Sequence, residues 1–97
     1  MLKKLYVLTR KDLSKSQQAV QAGHAVAEYL LRGPSTSWDN GTLVYLGVQD
    51  EKELLYWGRV LDKHSDVITF REPDRDNEVT ALATVSGGEE LSKLRLL

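Results

Sequence analysis

Two short segments concentrate the side chains that could do chemistry. Arg10-Lys11-Asp12 and Arg71-Glu72-Pro73-Asp74-Arg75-Asp76 each mix cations with carboxylates, and Lys15 follows the first. A carboxylate fixed at the end of a strand can position or deprotonate a water, which makes Glu72 and Asp74 the acidic candidates. Asp12 either orients a water or neighbouring base, or forms the turn ahead of a helix. Arg10, Lys11, Lys15 and Arg71 are candidates for contact with phosphate, which backbone N–H groups at helix N-termini also attract. The chain has no cysteine, which excludes disulfides, a thiolate nucleophile, a zinc ribbon and an iron–sulfur cluster. Its two histidines, His24 and His64, lie far apart in sequence. No Ser-His-Asp or Cys-His arrangement suggests covalent catalysis. The expectation is therefore a site with no metal and no cofactor.

These candidates must be positioned by secondary structure, and the chain has room for one domain: 97 residues, 41% of them hydrophobic. Thirteen Lys and Arg against fourteen Asp and Glu give a net charge of −1, which excludes a protein that coats nucleic acid by bulk charge but leaves room for a local basic patch. No segment is long and apolar enough to span a bilayer, and the start does not read as a signal peptide. The expectation is a soluble cytoplasmic protein.

Leu5 to Thr9 reads as a buried strand, and Ser14 as the N-cap of a helix from Lys15 to Leu31, with Gln17 at the capping-box position. Val20, His24, Ala27 and Leu31 form an apparent inward stripe with Gly23 and Leu30 beside it, so His24 is expected in the core. Gly33-Pro34 should stop this helix. Thr42 to Val48 reads as a second strand. Asp50 should cap a second helix, to about His64, whose inward stripe is Leu54, Trp57, Gly58 and Leu61. Asp66 to Phe70 and Glu78 to Val85 are the third and fourth strands, joined as a hairpin. Gly87-Gly88 then precedes a short helical segment, Glu89 to Leu94. Leu94, Leu96 and Leu97 are left to pack on the domain or to form a dimer contact.

The order β-α-β-α-β-β implies an α/β single domain: a mixed four-stranded sheet, parallel where helices cross over, with a short C-terminal helix. In such a sheet ligands bind outside the carboxyl ends of the parallel strands. The two charged segments fall at that edge. Trp38, in a polar loop, could stack on a nucleobase or fold back onto the core.

Val7 to Val26, with Arg10, Asp12 and Leu13 at the strand end and Ala19, Gln21, His24 and Ala25 along the helix, resembles the first strand and helix of the type II peptidyl-tRNA hydrolase family. Val79-Thr80-Ala81-Leu82-Ala83 resembles the family's fourth strand, and the element order agrees over the whole chain. The resemblance implies hydrolysis of the ester between a peptide, or an N-blocked amino acid, and tRNA. It implies a catalytic set of Asp12, Gln17, Glu72 and Thr80, with Gln17 and Thr80 as hydrogen-bond donors to the ester. The substrate would be gripped by Arg10, Lys11, Lys15, Trp38, Arg71 and Asp74. The chain departs from the family pattern at three points. The family's helix-start Gly-Lys falls on Ser16-Gln17; its Asp-Ala-Gly at the end of the third strand is absent, so Glu72 or Asp74 takes the acidic role; and the connection from there to Thr80 is shorter than the family's. The alternative is a non-catalytic module of the same fold that binds tRNA, another RNA or a protein.

Overall fold

The computed structural model describes residues 4–33, 38–86 and 89–97. Five strands form one mixed sheet: β1 (Lys4–Arg10), β2 (Thr42–Val48), β3 (Val67–Glu72), β4 (Glu78–Ser86) and β5 (Arg95–Leu96). Two helices, α1 (Lys15–Arg32) and α2 (Glu51–Asp62), pack on it. The sheet order is β3-β4-β1-β2-β5. β1 and β2 are parallel, and β4 is antiparallel to both β1 and β3. The expected four strands become five because β5 adds antiparallel to β2, with Leu96 opposite Leu46 and Arg95 opposite Gly47. Two residues carry no readable alternation, so this strand was invisible in the sequence. The C-terminal helical segment is a 3₁₀ turn, Glu89–Lys93, and its Leu91 is buried. Pro34 and Gly87-Gly88, expected as breakers, lie outside the described residues.

Alternation along β1 divides the core. Leu5 and Val7 face α1, where they meet Ala22, Ala25, Tyr29, Ala81 and Ala83. Tyr6 and Leu8 face α2, with Leu46, Val48, Leu54, Leu61, Val79 and Leu82. Both helix starts are capped as expected: Ser14 Oγ accepts from the Gln17 N–H and Asp50 Oδ1 from the Glu53 N–H. The Gln17 side chain does not close a capping box. It turns towards α1's own next turn.

The expected inward face of α1 is overturned. Its buried residues are Gln18, Gln21, Ala22, Ala25 and Tyr29, while Val20, Leu30 and Leu31 are exposed. His24 is exposed as well, so it is not a core histidine. The physical reason is hydrogen bonding. Gln18 donates to the carbonyls of Lys11 and Leu13, and Gln21 is satisfied as described below, so two amides occupy positions that a hydrophobic pattern assigns to apolar residues. Ala22 and Ala25 then let the helix approach the small side chains of β4. In α2, by contrast, Leu54 and Leu61 are buried, with Trp57 packed against the same cluster.

The ladder between β3 and β4 breaks once. Phe70 pairs with Ala81 but Arg71 pairs with Val79, which leaves Thr80 as an extra residue on β4. Beyond the break, the chain turns through a 3₁₀ segment, Pro73–Arg75, and two residues with left-handed backbone, Asp76 at φ 53° and Asn77 at φ 60°. The Asn77 N–H closes this turn on the Glu72 carbonyl at 3.0 Å.

Candidate functional site

The bulge decides where Thr80 points. Val79 belongs to the α2 side of the sheet and Ala81 to the α1 side, so strict alternation has no place for a residue between them. As the extra residue, Thr80 turns to the α1 side, and its hydroxyl donates to Gln21 Oε1 at 2.7 Å. Both side chains are fully buried. Gln21 Nε2 in turn donates to Glu72 Oε1 at 3.1 Å and to Gln17 Oε1 at 3.2 Å. This fixes the amide's orientation: its oxygen has one donor, and each of its two N–H groups has an acceptor. Gln21 thus ties together Gln17 in the first turn of α1, Glu72 at the end of β3 and Thr80 on β4. Three of the four expected catalytic residues converge. The residue that joins them was visible in the sequence only as part of the helix motif.

Asp12, the fourth, belongs to a different network. Arg10, the last residue of β1, makes a two-pronged pair with Asp12, Nε to Oδ1 at 2.9 Å and Nη2 to Oδ2 at 2.8 Å. Its Nη1 donates to Glu78 Oε1 at 2.7 Å and to the Val79 carbonyl at 3.2 Å. Four of its five N–H groups are engaged, and the side chain is only 6% exposed. The Arg10 hydrogen bonds hold both Asp12 and Glu78 below the usual carboxylate range, and those to Asp12 and Glu78 raise Arg10 above its own ordinary value. Arg10 is therefore a structural clamp and not a phosphate ligand, contrary to expectation. Asp12 is its counter-ion and is not joined to the Glu72 set. On the same side of β4, Glu51 Oε2 accepts the Val79 N–H at 2.8 Å, a role the sequence did not signal.

The remaining candidates scatter. Lys11 and Lys15 are exposed, and among the described residues neither has an ion-pair partner. The Lys11 stem lies across Gly47, where a Cβ would overlap it. Arg71 is exposed and donates to the Asn77 carbonyl at 3.1 Å. Asp74 is exposed on the 3₁₀ turn, apart from the Gln21 set. Trp38 donates its indole N–H to the Thr42 carbonyl at 2.7 Å, and its ring packs against the α1-side core. Of the two roles open to it in the sequence, the fold supports the second.

Chemically, the arrangement offers a half-buried carboxylate, one of whose oxygens is held by an amide, beside the start of a long helix. The Gln17 Nε2 hydrogens have no partner among the described residues. Among those residues, no helix is long and apolar enough to cross a membrane. Neither a family model nor a curated protein matches the sequence.

Proposed function

We propose that the chain is a cytoplasmic hydrolase of the ester between a peptide, or an N-blocked amino acid, and tRNA. The observation that carries this reading is the hydrogen-bonded set of Gln17, Gln21, Glu72 and Thr80 at the carboxyl edge of the sheet. Glu72, anchored through Oε1, takes a proton from water through its second oxygen as that water attacks the ester carbonyl. Gln17 Nε2 donates to the oxygen on which negative charge develops. The carbonyl carbon then releases the ribose oxygen, which recovers the proton from Glu72. Gln21 and Thr80 are positioning residues, since both are buried and spend their hydrogen bonds on each other and on Glu72 and Gln17. With Arg10 committed to its clamp, contact with RNA phosphates falls to Lys11 and Lys15.

The test is release of the blocked amino acid from N-acetylaminoacyl-tRNA by the purified chain. Wild-type protein should turn over, and Glu72→Gln should lower the rate by about 10²-fold, the scale of a lost acid–base group. No release by wild type, with tRNA still bound, would leave the non-catalytic module as the better reading.

A further inference from the structure

Next to the Gln21–Glu72 hydrogen bond, α1 and β3 carry a second pair of residues. His24 lies one turn beyond Gln21 on α1, and Phe70 lies two residues before Glu72 on β3. Their rings are stacked, with centroids 4.4 Å apart and planes 2° from parallel. Phe70 is partly buried against the α1-side core, whereas His24 remains exposed. The imidazole is thus held flat by the ring beneath it, with its other side towards solvent. Beside Phe70, an open pocket is lined by Glu28, Arg32, Thr69 and Arg71.

We propose that the His24–Phe70 stack is the platform for the terminal nucleobase of the tRNA substrate, the base lying on the open face of His24. This rests on the ester-hydrolase reading and adds a binding subsite to it. Two residues of strand, about 6.6 Å, separate the Phe70 and Glu72 positions, comparable to the span from a ribose oxygen to the base of the same nucleoside. With the base on His24, the ester on its ribose lies toward Glu72. Stacking on a planar ring tolerates any base, so the platform selects a nucleoside without reading its edge.

Two measurements test this. Adenosine 5′-monophosphate is titrated into the full chain while the His24 ring protons are followed by NMR, and the ring signals should shift upfield. Separately, N-acetylaminoacyl-tRNA hydrolysis is compared across variants. His24→Ala and His24→Leu should raise KM by about tenfold with kcat changed by less than about threefold, and His24→Phe should restore KM to within about threefold of wild type. Because His24 is exposed, equal melting temperatures should accompany these changes. Unchanged KM in His24→Ala and His24→Leu, with turnover intact, overturns the platform and leaves the hydrolase reading standing. A His24 shift with adenosine monophosphate in a protein that hydrolyses no ester keeps the nucleotide platform and removes the hydrolase. No shift overturns the platform.

Discussion

Replacing Gln21 and Thr80 separately and together tests whether their buried hydrogen bond is a single unit. Gln21→Leu removes the acceptor of the Thr80 hydroxyl, which is fully buried and has no other partner among the described residues. Leaving that group unsatisfied costs about 1–3 kcal/mol. The loss at Glu72 and Gln17 is smaller, because both reach water. Thr80→Val keeps the volume but leaves Gln21 Oε1 buried without a donor, again about 1–3 kcal/mol. In the double variant both partners are apolar, so neither penalty arises from the missing partner. The double change should therefore be less destabilising than the sum of the single changes by about 1–2 kcal/mol. Urea unfolding followed by tryptophan fluorescence measures all four proteins, with equal slopes required for comparison. Costs that add to within about 0.3 kcal/mol would refute the reasoning, because the two side chains would then act independently.

Three further outcomes follow from the geometry. The Thr9 hydroxyl is buried with no hydrogen-bond partner among the described residues, so Thr9→Val should raise unfolding stability by about 1 kcal/mol, and a loss of stability in urea would refute this. Asp12 and Glu78 titrate below their ordinary values of 3.8 and 4.5, so the stability they contribute is present above those values and lost as pH falls through the lower folded-state ones. Arg10→Met should flatten that acid slope in a pH series of urea midpoints, and an unchanged slope would count against the clamp. Asp76 and Asn77 both have left-handed backbone, so Asn77→Val should cost about 1 kcal/mol while Asn77→Gly should be nearly neutral, as read from melting curves.

Features fixed by local chemistry were legible in the sequence. Ser14 and Asp50 cap their helices through the expected N–H groups, and Thr42–Val48 is a strand with the expected ends. The third strand, expected to end at Phe70, runs two residues further, so Glu72 is its last member. What could not be read depends on partners distant in sequence. The buried face of α1 is set by amides whose acceptors include Glu72 and Leu13, so scoring glutamine as polar rotated the helix to a face bearing Val20 and Leu31. Arg10 read as a phosphate contact because Glu78, which helps to cover it, is sixty-eight residues away. The bulge at Thr80 leaves no mark in Val-Thr-Ala-Leu-Ala, since every residue there suits a regular strand. Yet that bulge brings Thr80 to the site.

Thr80 is one residue more than the hydrophobic alternation of β4 requires. If it were removed, Val79 would precede Ala81 directly, and each would keep the side of the sheet it now faces. The architecture and the polar set therefore draw on different letters of the same strand. A shortened chain combined with Gln21→Leu would retain its two-sided core while losing the tether on Glu72. In this protein, the fold and the polar set can drift apart through one deletion and one substitution, so a descendant could keep this shape after the set had gone.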